Sequence, residues 1–311
     1  MSAPADRKVV LVTRKTRLQE LVSRYHTLAQ ARFYVEHLDA DFADYERENL
    51  AYGQSLQQVK DALQRWGRFQ ILERQHLTNF IFAADDIVLA LGQDGLVANT
   101  MKYLDGQPLV GINPEPARWD GLLLPFGPTS LDALLADVAH GRRPTRSITM
   151  AEARLSDGQT LRAVNDLFIG PRSHTSALYD IAVGQRSEHQ SSSGVIVSTG
   201  LGSTAWLKSV MTGGVALAGA LHRSPPAREY KPLPWDADRL IFAVREPFPT
   251  RNSQATLVYG AVTALAPLRL RSCMPDHGVI FSDGMEADFL RFTAGVEATI
   301  SIASARGQLV A

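Results

Sequence analysis

Five apolar residues in a row, Ile87-Val88-Leu89-Ala90-Leu91, run straight into the turn Gly92-Gln93-Asp94-Gly95. The run has no polar alternation. A strand of that kind has to be covered on both faces, the condition of a strand inside a parallel sheet. It stops at a glycine, and a helical segment starts near Val97. Strand, tight turn and helix in that order put the turn at the carboxyl end of the sheet, where open α/β folds bind ligands. The flanking chain repeats the alternation. Val9-Val10-Leu11-Val12-Thr13, Phe69-Gln70-Ile71-Leu72 and Pro108 to Asn113 read as further strands. Leu18, Leu21, Val22, Tyr25 and Leu28 fall at helical spacing, and a second helical stretch runs from Asp41 to Trp66 with Leu56, Val59 and Leu63 on one face. Leu131 to His140 is a helix closed by Gly141. Residues 1–141 are therefore expected to form an α/β domain with a parallel sheet.

The character changes at Arg142-Arg143-Pro144, which reads as a linker. Beyond it, short strand-like runs are separated by turn signals: 161–169, 177–183, 194–199, 240–244, 256–262, 268–271, 279–281 and 289–292. Ser282-Asp283-Gly284 reads as a hairpin turn, Val296 to Ile302 alternates like a half-buried strand, and one helix is expected from Thr204 to Met211. Ser224 to Pro234 is a Pro-rich loop. Residues 142–311 are thus expected to form a β-rich second domain, with the last residues able to return to the first.

Composition narrows the function. Lys plus Arg and Asp plus Glu balance at 32 each, which argues against a nucleic-acid partner. Arg14-Lys15 and Arg142-Arg143 read as solvated surface charges. A single cysteine, Cys273, excludes an internal disulfide framework and argues against a cysteine-built zinc site, and the eight histidines show no metal-ligand spacing. The N-terminal residues lack the apolar core of a signal peptide, and no apolar run reaches the roughly 18 residues of a membrane span. A cytoplasmic protein without a membrane partner is the expectation. Walker A, protein-kinase, Gly-x-Ser-x-Gly and His-Glu-x-x-His signatures are missing from the sequence.

Three segments can carry chemistry, and each has a plainer reading. Asp94 sits where backbone N–H groups and a helix N-terminus would cradle phosphate. A carboxylate there fits a base that takes a proton from an attacking hydroxyl, or a magnesium ligand; on spacing alone a turn Asp capping the helix is the commoner reading. Ser191 to Trp206 is a strand, a Gly-rich loop (Thr199-Gly200-Leu201-Gly202-Ser203-Thr204) and a helix start. It is suited to ribose or phosphate, or is simply a turn with Trp206 as packing. Asn165-Asp166 opens a strand and can hold the polar edge of a purine or ribose, or stabilise a turn.

The order of these segments resembles NAD kinases over nearly the whole chain, and the stretch Asn113-Pro114-Glu115-Pro116-Ala117-Arg118 to Pro125, with Ser192-Ser193-Gly194 and Ala205-Trp206, resembles the mitochondrial branch. The resemblance implies an N-terminal Rossmann-like α/β domain followed by a C-terminal β-sandwich domain, with the active site between them. It implies transfer of the ATP γ-phosphoryl to the 2′-hydroxyl of the adenosine ribose of NAD, with magnesium accompanying ATP. Asp94 matches the family's catalytic base, and Gly92 and Gly95, flanking Gln93, match its phosphate-cradling glycines. Asn113, Asn165, Asp166 (Glu in the family), Ser193, Thr199, Gly202, Ser203, Thr204 and Trp206 match positions on the nucleotide side. A homodimer or higher homo-oligomer follows from the likeness alone. The family turn is Gly-Gly-Asp-Gly-Thr, so Gln93 and Leu96 depart from it. If the second position needs positive φ, Gln93 is strained there. Two other readings stay open: a kinase of the same superfamily acting on a sugar or lipid hydroxyl, and a non-catalytic NAD(P)-binding regulator. Polyphosphate as donor and NADH as acceptor are open too.

Overall fold

The computed structural model describes residues 7–222 and 230–311. Residues 224–229 of the Pro-rich loop lie outside them. The chain divides into two compact units, Met1–Arg146 with Gln308–Ala311, and Ser147–Gly307.

The first unit begins with β1 (Val9–Thr13), α1 (Arg17–Tyr25), α2 (Leu28–His37), α3 (Phe42–Trp66) and β2 (Phe69–Glu73). It continues with β3 (Ile87–Leu91), α4 (Asp94–Met101), β4 (Pro108–Ile112) and α5 (Leu131–Ala139). The strands form a parallel sheet in the order β2-β1-β3-β4, and Gln308 and Leu309 pair in parallel with Pro108 and Leu109 of β4. Both sheet faces are buried, as the unbroken apolar runs require. Leu11, Leu89, Leu91 and Val110 pack with Val59 and Leu63 of α3 and Leu134 and Leu135 of α5. Val10, Val12, Val88 and Ala90 on the other face are fully buried too. Thr16 caps α1 through a reciprocal box with Gln19, which sets Arg17 on the first helical turn.

The second unit contains β5 (Thr145–Leu155, entering from Ser147), β6 (Thr160–Ala163), β7 (Asp166–Pro171), β8 (Ala177–Val183), β9 (Arg186–Ser192) and β10 (Val195–Ser198). Then come α6 (Trp206–His222), β11 (Leu240–Val244), β12 (Tyr259–Val262), β13 (Leu268–Ser272), β14 (Gly278–Ser282), β15 (Phe289–Arg291) and β16 (Glu297–Val310, leaving after Gly307). One antiparallel sheet runs β12-β11-β10-β7-β14-β15; the other runs β16-β13-β8-β9, with β5 paired to β16 and β6. Their inner faces share one apolar core that includes Ile169, Tyr179, Val197, Phe242, Ile280 and Phe292. That arrangement is a β-sandwich.

Several boundaries differ from the sequence reading. The run 161–169 is two strands, because Val164 and Asn165 leave the ladder and turn. The expected hairpin turn at 282–284 is a longer loop: Asp283 and Gly284 take positive φ (52° and 69°), yet the chain re-pairs only at Phe289. Helix α4 starts at Asp94, not near Val97, and α6 continues to His222.

Candidate active site

In the first unit, β3 ends at Leu91 and Gln93 takes φ −124° and ψ 164°, ordinary extended backbone. The anticipated strain at Gln93 is therefore absent: this position does not need positive φ. Asp94 follows as the first residue of α4, where the helix dipole favours a negative side chain. It is half-buried, and the Leu123 N–H donates to its Oδ1 at 2.8 Å. Gly95 is exposed, and a Cβ on it would meet nothing within 4 Å. The space beside Asp94 is thus open on the α4 side. Leu96 is turned inward and packs beneath Gly92, its Cδ2 at 3.0 Å from where a Gly92 Cβ would stand.

Leu123 reaches Asp94 because of two glycines. A Cβ on Gly111 of β4 would lie 1.9 Å from the Leu123 carbonyl oxygen, so only glycine lets this backbone dock on the strand. Gly121 has φ 59°, and a Cβ there would strike the Asn113 amide at 2.7 Å. Asn113 is buried. Its amide donates to the Trp119 carbonyl at 2.9 Å, and its oxygen accepts from the Glu115 N–H at 3.0 Å. Its visible work is to fold residues 113–125 into the shape that delivers Leu123.

Arg14 was missed by sequence reasoning, which placed it on the solvated surface. Its side chain is 11 % exposed. It packs against Gly92, and its buried Nε has no hydrogen-bond partner among the described residues. Its guanidinium pairs with Glu48 at 2.9 Å; Arg17 joins Glu48 and Asp44, and Arg118 reaches Asp44 at 2.5 Å. Hydrogen bonds from Arg118 and Arg17 hold the Asp44 carboxyl well below the usual carboxylate range. Tyr52 ties the rim to the turn, its hydroxyl donating to the Leu91 carbonyl and accepting from the Arg14 N–H. With Arg47, which bridges Asp44 and Asp41, four guanidiniums stand against three carboxylates and leave a cationic rim at the carboxyl ends of β1 and β3, where an anionic ligand would be steered. A lone Arg-Lys pair in sequence carries no sign of burial, since the partners lie on α3.

In the second unit, the Asp283 carboxylate accepts from the backbone N–H groups of Val164, Asn165 and Asp166 at 3.0, 2.7 and 3.3 Å. That fixes the turn preceding β7. Asn165 is half-buried and its side-chain amide has no partner among the described residues, so it is available to a ligand. Asp166 is buried, with one carboxylate oxygen unpartnered among the described residues. Burial first, and the charge of Asp283 second, push its pKa up to about 7 against a hydrogen bond from Ser198.

The loop 199–206 packs on this turn. A Cβ on Gly202 would lie 2.1 Å from the Asn165 carbonyl oxygen. Thr199 and Ser203 are fully buried, with hydroxyls donating to the Val164 and Gly200 carbonyls at 2.5 and 2.6 Å; they shape the loop rather than face outward. Thr204 is exposed, its hydroxyl on the Leu201 carbonyl. Ser193 and Trp206 meet in a separate cavity of about 340 Å³, lined also by Phe168, Arg172, Arg245 and Phe281. Trp206 stacks on Phe168 with centroids 5.8 Å apart. Gly194, φ 108°, is required there, because a Cβ would strike the Phe168 ring at 2.7 Å.

A parallel α/β unit followed by a β-sandwich, with a helix-terminal carboxylate in the first, is an arrangement that solved structures share. The fold is that of the NAD kinases. Over 98 % of this chain it matches the crystal structure of yeast NADH kinase complexed with NADH (TM-score 0.57, 14 % identity, 83 % of that chain) and an NAD kinase from Archaeoglobus fulgidus in complex with ATP (TM-score 0.56, 15 % identity, 93 % of that chain). In sequence it is similar to curated NAD kinases of Methylococcus capsulatus (31 % over 170 residues, 50 % of this chain and 57 % of the relative) and Chlorobaculum tepidum (29 % over 136 residues, 43 % and 46 %). The chain spans about half the length of the curated relatives it matches. No family model matches it. No helix among the described residues is long and apolar enough to cross a membrane.

Proposed function

We propose that the chain is an NAD kinase: an ATP-dependent phosphotransferase acting on the 2′-hydroxyl of the adenosine ribose of NAD or NADH. The observation that carries this is Asp94, on the first turn of α4, with one carboxylate oxygen held by Leu123 and the other without a partner among the described residues. A base must be fixed and must keep a free lone pair; Asp94 meets both conditions. The ribose oxygen attacks the γ-phosphorus, the bond to the β-phosphate oxygen breaks, ADP leaves and the hydroxyl proton passes to Asp94. Gly92, Gln93 and Gly95 would offer backbone beside the donor phosphates, and the Arg14 rim would offset their charge. Asn165 would hold the acceptor, on a turn built by Asp166, Asp283, Thr199, Gly202 and Ser203, while Ser193 and Trp206 would border its far end and Thr204 the loop rim.

Magnesium fits here only as a companion of the polyphosphate. Among the described residues no group of three metal-ligating side chains includes Asp94, so one carboxylate oxygen is what this chain could add to the ion's shell. When bound, the ion would neutralise charge on the transferring phosphoryl. The ordinary φ at Gln93 weakens the case for a non-catalytic regulator, and the half-exposed Asn165 favours a nucleoside over a lipid acceptor. A homo-oligomer and a cytoplasmic location belong to the same reading.

The test is NADP formation from magnesium, ATP and NAD, run beside Asp94→Asn. The wild type is expected to turn over, and the variant to lose about 100-fold to 10,000-fold in kcat, the usual range for a general base. Undiminished turnover by the variant would remove Asp94 from the chemistry. Absence of turnover with NAD, NADH and polyphosphate in every combination would remove the kinase reading itself.

A further inference from the structure

We propose that Asp180, His189 and Cys273, on the second unit, bind a divalent cation of the zinc type. The site is independent of the phosphotransferase reading.

Strand register builds it. Asp180 of β8 stands directly opposite His189 of β9. On the other side of β8, Ser272 of β13 pairs with Tyr179, and the next residue, Cys273, donates its N–H to the Leu178 carbonyl at 2.8 Å. Cys273 is therefore one diagonal step from Asp180. Side chains alternate along a strand, so these three project from one face while Tyr179 and Ile181, both fully buried, project into the core from the other. A carboxylate oxygen, an imidazole nitrogen and the thiol sulfur come within 4.8 Å of one another. Tetrahedral coordination needs ligand separations of about 3.5 Å, given metal bonds of about 2.0 to 2.3 Å. Rotation about side-chain torsions closes that difference without moving a strand. The His189 Nδ1 already lies 2.8 Å from Asp180 Oδ1, which holds the ring in the trio.

The donor set selects the metal. One nitrogen, one oxygen and one sulfur suit zinc or cobalt, whereas magnesium and calcium take oxygen shells. All three side chains are partly exposed, so water can fill the fourth position, as in open rather than closed zinc sites. Arg271 stands opposite Asp180 in the register of β13 with β8, which places a cationic residue on the same face. Affinity therefore comes from thiolate and imidazole, not from a pool of negative charge. Coordination displaces the thiol proton, which passes to solvent.

The test is titration of the reduced chain, residues 1–311, with cobalt(II). Expected are a thiolate-to-cobalt charge-transfer band in the near ultraviolet and visible d–d bands, saturating at one equivalent and undiminished in excess magnesium. Cys273→Ser should abolish the charge-transfer band, and His189→Ala should weaken binding by about tenfold or more; both lie on a partly exposed sheet face, and circular dichroism would verify folding. Zinc should also slow alkylation of Cys273 in the unsubstituted chain. A spectrum without the thiolate band, or equal cobalt affinity in Cys273→Ser, overturns the proposal, and so does an alkylation rate indifferent to zinc.

Discussion

Asp166 is a carboxylate closed in beneath the loop that carries Gly202, with Asp283 beside it and a pKa of about 7. The sign of its effect follows from the direction. Its folded value lies above the unfolded one, so between about pH 4 and pH 7 the folded chain holds a proton that the unfolded chain has released. Stability then falls as pH rises through that window, and above it the buried charge is fully paid as a penalty of a few kcal/mol. Asp166→Asn removes the penalty. The melting temperature of the native chain should drop more between about pH 5 and pH 8 than that of the variant; parallel curves would mean that Asp166 is ionised throughout. The same residue shows what a motif conceals. Asn165-Asp166 looked like two polar groups offered to a ligand, yet only Asn165 is half-exposed. The difference arises from Gly202, thirty-odd positions away in sequence, whose backbone lies over Asp166.

At the scale of elements, the segment 113–125 acts as a strut between β4 and α4. It docks on Gly111 and presents the Leu123 N–H to Asp94. Gly111→Ala would place a methyl group 1.9 Å from the Leu123 carbonyl oxygen, so the strut must lift. The expected cost in stability is about 1–3 kcal/mol, but on the role proposed for Asp94 the loss in kcat should be about 100-fold, since a base displaced by roughly 1 Å loses its alignment. Thermal melts and NADP formation measured on one preparation separate the two effects; a variant that melts lower yet turns over normally would show that Asp94 keeps its place without the strut. The strands and helices around this site were legible because their apolar residues are continuous or helically spaced. β9 was not. Its sequence, Arg186-Ser187-Glu188-His189-Gln190-Ser191-Ser192, has no apolar side chain. It is a strand because β8 pairs with it along its whole length and because its buried polar groups are satisfied: Glu188 accepts from the Leu257 N–H at 2.7 Å, and the Tyr179 hydroxyl donates to Gln190 at 2.9 Å. Long-range hydrogen bonds leave no periodicity to read, which is also why His189 could not be linked to Cys273 from spacing.

For the whole molecule, the decisive residues are the four at 308–311, which belong to the first unit although the second unit precedes them in the chain. Leu309 and Val310 are 3 % and 1 % exposed, and Val310 packs in the core with α3 and α5. Without them the Pro108–Leu109 end of β4 is an unpaired sheet edge with a slot in the core beside it, the kind of edge that recruits other chains, while Phe126 still bridges Ile112 at the other end. Burying two such side chains is worth about 3–6 kcal/mol, a large part of the margin of an ordinary domain. The first unit should therefore depend on chain that comes after the sandwich, and its folding cannot finish until that chain is present. A fragment of residues 1–146 is expected to aggregate or to melt without cooperativity, while the same fragment carrying residues 307–311 on a flexible glycine linker should regain a cooperative transition. Calorimetry of the two decides it. A sharp, matching transition in both would mean that the helices and the four strands before Arg146 suffice, and that the returning residues only cover an edge already stable without them.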